Sequence, residues 1–377
     1  TADQKKEAIA RFNNSATGLD VVKFVPASGA ATRMFKRIFV WIENPTENRK
    51  AINDFFKNAE KLAFFEDWVQ KANELDVETF ESGFESKVKW LNILVKPEGL
   101  NYAQLPKVVI PFHSYENSAT PVMEHLTEVL KMRSEGQKSR IHFTVSEEHK
   151  ILFENEVMAA FVELECTEDE VEVTYSTQKP TTDTVAIDKK GKIISAGAKP
   201  FTRPGGHGSL IHNLNDLDAD FAFLKNIDNV CHQRLMDETI DYKKMLGGIM
   251  LEVRGEFMGL HQQVGKGLVD AVSIDRVRDK WKLRVPRDYV KLKEYLKRPI
   301  RVCGMVKNEG EPGGGPFWCL DRYTGESLQI VEQAQVDRKT MRQEMILSSA
   351  THFNPVDLVC CLRDLEGNKI NLLQFVD

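Results

Sequence analysis

A run of small residues that ends in an arginine has the composition of a phosphate-binding turn. Residues 27–32 read A-S-G-A-A-T, Arg33 follows them, and the apolar residues 21–25 precede them. This order predicts a buried strand, a tight turn and the start of a helix. Small residues let backbone N–H groups approach a polyphosphate, and Arg33 can bind phosphate oxygens in a bidentate manner. The same pattern also suits ordinary packing of a strand against a helix.

A second polar cluster, N-I-D-N at residues 226–229, follows the apolar residues 221–224. A carboxylate beside a buried strand is costly unless it is paired or binds a ligand. We therefore expect Asp228 to be functional. Ligands of open α/β sheets collect at the carboxyl ends of the strands, which is where both clusters are expected to lie.

Composition limits the classes of partner. The 377 residues include 51 basic and 56 acidic side chains, for a formal net charge of -5. No overall cationic field is available for nucleic acid, so an anionic ligand needs a local cationic pocket. The six cysteines contain no C-x-x-C pair, which indicates reduced thiols and a cytoplasmic location. No apolar run reaches ~18 residues, so no membrane contact is expected.

The elements that must position these residues alternate between strand and helix. Strands are expected at residues 108–112, 141–146 and 171–175, with helices at 121–133 and 147–163. This order predicts an α/β fold with a doubly wound, mostly parallel sheet. A helical insertion is expected at 44–99 and an antiparallel extension after residue 301. We expect one composite domain over residues 1–377. We also expect truncation at both ends, because the sequence begins without Met and stops one residue after 369–376, which look like a strand.

Several segments resemble those of a known enzyme family. Residues 25–34 (V-P-A-S-G-A-A-T-R-M) are similar to the G-G-x-G-T-R-(L/M) signature of the sugar-phosphate nucleotidylyltransferases, the UDP-sugar pyrophosphorylase group. Further similar segments follow in family order: Pro106-Lys107, Gln178-Lys179-Pro180, Gly205-Gly206-His207-Gly208, Asn226-Ile227-Asp228-Asn229, Ile330-Val331-Glu332 and His352-Phe353-Asn354. The resemblance covers about residues 21–355. It implies the Rossmann-like nucleotide-diphospho-sugar transferase fold.

The resemblance also implies an activity and a set of site residues. A nucleoside triphosphate, by family resemblance UTP, and a sugar 1-phosphate would give a nucleotide sugar and pyrophosphate. Arg33 and Lys107 would contact the triphosphate, and Asp228 would bind Mg²⁺. The other contacts with nucleotide and sugar would come from Ser28, Gly29, Ala30, Thr32, Gln178, Gly206, His207, Gly208, Asn229, Glu332 and Asn354.

Two other functions remain open. Ser28 and Ala31 stand where the family signature has glycine, and their added atoms crowd the space where phosphate approaches. A non-catalytic nucleotide- or sugar-binding protein on the same fold is one alternative, and a glycosyltransferase that uses a nucleotide sugar is the other. Single residues also have structural explanations: His207 can stabilise its own turn, Lys107 can cap a strand, and Glu332 can be a solvated carboxylate.

Overall fold

The computed structural model describes residues 1–29, 31–77, 83–134, 136–188, 190–197, 199–311, 313–321 and 325–376, without the side chains of Ala196 and His207. Ala30 and the side chain of His207 were both predicted to bind nucleotide. They lie outside the described part of the chain.

The α-helices of the described residues are α1 (Ala2–Ser15), α2 (Lys36–Glu43), α3 (Arg49–Lys57), α4 (Phe65–Glu74), α5 (Phe84–Val95), α6 (Pro121–Met132), α7 (Lys150–Glu163), α8 (Ile211–Asp216), α9 (Met236–Gly265), α10 (Ala271–Trp281), α11 (Tyr289–Tyr295) and α12 (Met341–Ser348). The strands are β1 (Val21–Pro26), β2 (His113–Ser114), β3 (Ser118–Ala119), β4 (Ser139–Val145), β5 (Val171–Thr177), β6 (Thr184–Val185), β7 (Ser195–Ala196), β8 (Lys199–Pro200), β9 (Thr202–Arg203), β10 (Phe221–Lys225), β11 (Arg301–Cys303), β12 (Val306–Lys307), β13 (Gly314–Asp321), β14 (Gly325–Glu332), β15 (His352–Phe353) and β16 (Asp357–Cys361).

Six strands form one sheet in the order β11-β16-β10-β1-β4-β5. Strands β10, β1, β4 and β5 are mutually parallel, while β16 pairs antiparallel with β10 and with β11. The prediction of an α/β fold with a mostly parallel sheet is therefore confirmed. The doubly wound, Rossmann-like assignment and the single-domain assignment stay predictions.

Side chains alternate between the two faces of β1, as the period of a strand requires. Val22 and Phe24 belong to a core that includes Leu210 and Leu214 near α8. Val25 belongs to a different core, with side chains of α6 and α7. The sheet therefore has an apolar core against each of its faces, which explains why β1 is apolar along nearly its whole length.

Helices α3, α4 and α5 occupy most of the region predicted to be a helical insertion. Their apolar faces form one core, which contains Trp41 of α2, Trp68 of α4 and Trp90 of α5, all of them buried. The indole nitrogen of Trp68 donates to the carbonyl oxygen of Trp90 at 2.9 Å. These aromatic residues are structural. The boundaries of the insertion, 44–99, stay a prediction.

Two expected strands do not form in the described residues. In addition, the hairpin of the expected antiparallel extension is not part of the six-stranded sheet. Residues 107–109 form a 3₁₀ turn instead of the strand expected at 108–112, because Pro106 and Pro111 lack the N–H groups that a strand needs. Near the end of the chain, Leu372–Phe375 is also a 3₁₀ turn. The predicted antiparallel extension exists as the hairpin β13–β14, which forms its own two-stranded sheet.

Among the helices that the structure describes, none has both the length and the apolarity to cross a membrane.

Candidate functional site

The carboxyl ends of β1 and β10 bring two predicted catalytic residues into contact. The backbone N–H of Ile227, just after β10, donates to the carbonyl oxygen of Pro26 at 3.3 Å. The next residue, Asp228, forms an ion pair with Lys107. Both side chains are partly exposed, Lys107 by 24% and Asp228 by 39%. The Lys107 ammonium and the Asp228 carboxylate therefore lie side by side at this edge of the sheet.

The small-residue turn after β1 is tied to the chain that leads to Lys107. The Ala31 N–H donates to the Leu105 carbonyl oxygen at 3.0 Å, and the Thr32 hydroxyl donates to the Ala103 carbonyl oxygen at 2.9 Å. These bonds position the turn beside Lys107. They also occupy two groups that could otherwise donate to phosphate.

The exposed part of the same turn is open. The Arg33 side chain is exposed, and no hydrogen bond or ion pair joins it to any residue that the structure describes. Gly29 is also exposed, and a Cβ atom at this position would meet nothing within 4 Å. Ser28 beside it is half-buried. Packing therefore does not require glycine at position 29, and the Arg33 guanidinium remains available to an anion.

The glycine turn at 205–208 lies against the segment that follows β5. A Cβ atom on Gly205 would lie 2.7 Å from the Thr182 carbonyl oxygen, so only glycine fits there. The Thr182 hydroxyl accepts a hydrogen bond from Nε2 of Gln178 at 3.1 Å. Gly206 and Gly208 are exposed, and a Cβ atom on either would meet nothing within 4 Å. Gln178 and this open turn are thus neighbours at the end of β5.

The remaining predicted contacts already have partners within the protein. Nδ2 of Asn229 donates to the Pro355 carbonyl oxygen at 2.6 Å. Asn354 is buried: its Nδ2 donates to the Gly304 carbonyl oxygen at 2.6 Å, and its Oδ1 accepts from the Val356 N–H at 3.0 Å. Glu332 is exposed at the start of a 3₁₀ turn, where its backbone N–H donates to the side-chain oxygen of Gln335 at 2.9 Å. Structure accounts for these side chains without a ligand, and their ligand roles stay predictions.

Helix α6 holds the first half of the loop that carries Asp228. Nε2 of the buried His125 lies 3.2 Å from the carbonyl oxygens of both Asn226 and Ile227. A carbonyl only accepts, so Nε2 carries the proton. Burial holds the pKa of His125 well below its ordinary value, which keeps the imidazole neutral.

The second half of the loop is held through Glu124 of the same helix. The Tyr115 hydroxyl donates to Oε1 of Glu124 at 2.5 Å and accepts from the Gln233 N–H at 3.0 Å. Nδ1 of His113 lies 2.7 Å from the same carboxylate oxygen. None of His113, Tyr115, Glu124 and His125 was predicted from the sequence. Nothing in their local pattern marks them, because the loop residues that they hold are distant in the chain: Asn226 is 101 positions from His125, and Gln233 is 118 positions from Tyr115.

Asp228 suits a cation only if the substrate supplies further ligands. Within the described residues, no group of three or more His, Cys, Asp or Glu side chains could hold a metal ion. Mg²⁺ in nucleotide enzymes is commonly bound by one or two carboxylates together with substrate phosphates and water. A single exposed carboxylate beside a lysine is compatible with that arrangement and not with a resident, protein-only metal site.

Comparison with known proteins gives the following similarities. The family model described as "Domain of unknown function (DUF4301)" matches residues 1–377. No curated protein matches the chain. The UDP-N-acetylglucosamine pyrophosphorylase of Trypanosoma brucei is 12% identical with a TM-score of 0.43, and the match covers 97% of this chain and 51% of that one. A mutant UDP-glucose pyrophosphorylase of Leishmania major, solved in complex with UDP-glucose, is 12% identical with a TM-score of 0.34, over 72% of this chain and 47% of that one. This chain thus spans about half the length of those structures.

Proposed function

The chain belongs to the family described as "Domain of unknown function (DUF4301)", and we propose that it is a nucleotidylyltransferase that makes a nucleotide sugar. The substrates would be a nucleoside triphosphate and a sugar 1-phosphate, and the second product would be pyrophosphate. The observation that carries the proposal is the Lys107–Asp228 ion pair at the carboxyl ends of β1 and β10. This is the edge of an α/β sheet at which phosphorylated ligands bind.

The proposed reaction exchanges one bond to phosphorus for another. An oxygen of the sugar 1-phosphate attacks the α-phosphorus of the triphosphate, and the bond from that phosphorus to the pyrophosphate oxygen breaks. The attacking oxygen is already anionic, so no side chain has to remove a proton. The protein contributes by aligning the two anions and by stabilising negative charge.

Arg33 and Lys107 are the proposed cationic contacts. Arg33 is exposed beside the turn after β1, and Lys107 is held by the 3₁₀ turn at Lys107–Val109. In this proposal the Lys107 ammonium exchanges Asp228 for a phosphate oxygen when the triphosphate binds. The cost is small because partly exposed ion pairs contribute only ~0–1 kcal/mol.

Asp228 would then be free to bind Mg²⁺ together with phosphate oxygens. Such an ion neutralises part of the charge on the phosphates. The bonds from His125 to the carbonyl groups of Asn226 and Ile227 hold the backbone just before Asp228, so the carboxylate starts from a fixed position.

Nucleoside and sugar are assigned to the end of β5 and to the glycine turn near it. Besides the N–H that donates to Thr182, the Gln178 amide has a second N–H donor and a carbonyl acceptor, and both suit a base edge. Gly206 and Gly208 leave open space above an exposed backbone, which suits close contact with a flat base or a sugar. Uridine is the proposed base on the sequence resemblance alone.

One observation favours a second candidate, a binding protein without transferase activity. The Ala31 N–H and the Thr32 hydroxyl both donate to carbonyl oxygens of the chain before Lys107. In that state neither can donate to the triphosphate. If these bonds persist when nucleotide binds, the turn supplies affinity through Arg33 but little stabilisation of the transition state.

Pyrophosphate release separates the candidates. The chain is incubated with Mg²⁺, each of the four common nucleoside triphosphates and a panel of sugar 1-phosphates. Release that requires both substrates supports the transferase. Triphosphate binding by calorimetry without release supports the binding protein. Lys107→Met should abolish release. The matched variant Lys131→Met should not, because Lys131 lies near the carboxyl end of α6, where it forms an exposed ion pair with Asp237.

A further inference from the structure

A buried group of charges lies beneath the central strands. Lys23 of β1 and Lys225 of β10 point to Glu128 of α6, with Nζ to carboxylate oxygen distances of 2.7 and 2.6 Å. Lys243 of α9 lies 3.3 Å from Glu128 and 2.7 Å from Asp357. The three lysines and Glu128 are at most 5% exposed. We call these five residues the buried charge cluster.

The buried charge cluster has one positive charge too many when all its groups are ionised. Three ammonium groups face two carboxylates, and the neighbouring His125 is neutral because burial depresses its pKa. An uncompensated buried charge is costly, so such a charge is either neutralised or paired with a counterion. Burial lowers the pKa of Lys23 to about 7, so Lys23 is only partly protonated near neutral pH when no counterion is present. The imbalance is therefore removed either by loss of the Lys23 proton or by a further negative charge near Lys23.

A cavity of about 220 Å³ reaches the buried charge cluster at Lys23 and Glu128. It opens beside Asp20 and Ser139, at the amino ends of β1 and β4, on the opposite edge of the sheet from Asp228. Much of its wall is apolar and is formed by Phe12, Leu19, Val21, Val129, Met132 and Phe223. The cavity therefore combines an apolar wall with charged groups.

Lys23 has a hydrogen-bond donor to spare for a ligand in this cavity. Its ammonium carries three donors, and two of them face Oε1 of Glu128 and the His125 carbonyl oxygen, the latter at 3.1 Å. The arginines at the entrance are already neutralised, since Arg140 pairs with Asp20 and Glu172 and Arg133 pairs with Glu170. Lys138, also on the rim, adds positive charge. Lys138 is exposed to solvent, which screens its charge, so the least screened positive charge available to a ligand is that of the buried cluster.

We propose that this cavity binds a small aliphatic monocarboxylate whose carboxylate pairs with Lys23 and whose hydrocarbon part contacts Phe12, Val129 and Met132. A single negative charge matches the single excess positive charge, which favours a carboxylate over a phosphate dianion. A molecule of liquid water takes up ~30 Å³, and on this scale the cavity volume suits a ligand with a short hydrocarbon tail. This site is separate from the edge of the sheet that carries Asp228 and does not depend on the proposed nucleotidyl transfer.

Isothermal titration calorimetry of the full chain with sodium butyrate at neutral pH tests the proposal. Butyramide, which has the same shape without the charge, and inorganic phosphate are the control ligands. We expect saturable binding of butyrate, with butyramide and phosphate at least ~10-fold weaker, since a charge-assisted hydrogen bond is lost or the charge no longer matches.

Variants separate the charge effect from simple loss of packing. Lys23→Met should weaken butyrate binding ~10-fold or more, because it removes the ammonium that contacts the carboxylate. Lys225→Met should also weaken butyrate binding. Lys225 does not line the cavity, but its substitution removes the excess positive charge of the cluster. The exposed Lys131→Met is the matched control and should bind butyrate as the unmodified chain does.

Equal binding of butyrate and butyramide would overturn the proposal, as would tighter binding of phosphate. Undiminished butyrate binding by Lys23→Met would do the same. If Lys23→Met does not fold, as judged by circular dichroism, the ligand comparison on the unmodified chain and the Lys225→Met variant still decide the question.

Discussion

Lys107 and Asp228 are 121 positions apart in the chain and form an ion pair at one edge of the central sheet. The pair is partly exposed on both sides. Exposed ion pairs contribute only ~0–1 kcal/mol to stability. Its main effect is therefore to place two chemically useful groups within reach of one ligand.

Asp228→Asn should remove the Mg²⁺ dependence of triphosphate binding and change stability by less than ~1 kcal/mol. The amide keeps the shape of the side chain but loses the charge that attracts the cation. Calorimetry of triphosphate with Mg²⁺ and with a chelator measures the first effect, and urea unfolding measures the second. Asp237→Asn is the control, because Asp237 is also exposed and paired with a lysine. Undiminished Mg²⁺ dependence in Asp228→Asn would exclude the proposed metal role.

Arg33→Ala should weaken triphosphate binding about 10-fold or more and leave sugar 1-phosphate binding nearly unchanged. The guanidinium is exposed beside the turn after β1, and a hydrogen bond to a charged group contributes ~1.5–3 kcal/mol. Separate titrations with the two ligands give the comparison. Arg37→Ala, on the exposed side of the following helix α2, is the matched control. A larger loss for the sugar phosphate would contradict the assignment of Arg33.

Asn354→Ala should lower the free energy of unfolding by ~1–3 kcal/mol, because it removes a buried side chain that bonds to the partly buried Gly304 carbonyl and Val356 N–H. Its effect on triphosphate affinity should be small. Urea unfolding and calorimetry on the same variant separate the two. Asn117→Ala, which removes an exposed side-chain bond to Glu163, serves as control and should be nearly neutral. A loss of sugar 1-phosphate binding at unchanged stability would instead support the ligand role.

Stability should fall in acid partly because of His142. Burial lowers the pKa of His142 to about 4 in the folded chain, against its ordinary value of 6.5. Between these values the unfolded chain binds more protons, so the contribution is complete above pH 6.5 and is lost as the pH falls towards 4. The shift corresponds to on the order of 3 kcal/mol.

His142→Asn should therefore show a flatter loss of stability over this range than the unmodified chain. Urea unfolding at neutral pH and near pH 4.5 gives the pH dependence of stability for each protein. Comparison of the two proteins cancels the contributions of the titratable groups that they share. The exposed His352 gives a control variant, His352→Asn. Parallel curves for His142→Asn and the unmodified chain would show that His142 does not protonate on unfolding.

The sheet was predictable because its strands are apolar runs bounded by polar or small residues. Strands β1, β4, β5 and β10 all lie within a few residues of their expected positions. Parallel strands with alternating helices then require one carboxyl edge, so the approximate position of the candidate site followed from local pattern. The expected strands at 108–112 and 369–376 were wrong, since apolar content alone does not distinguish a strand from a 3₁₀ turn next to proline or asparagine.

Local sequence determined which residues are apolar, where the chain turns, that Asp228 follows a buried strand and that Lys107 precedes an apolar run. Only the tertiary structure decided that these two side chains meet, and that His125 and Glu124 hold the Asp228 loop. The same holds for Lys23 and Lys225, which look like interruptions in apolar strands but are buried around Glu128. The physical reason is that charge compensation depends on distance in space, and groups about a hundred positions apart leave no local pattern that joins them.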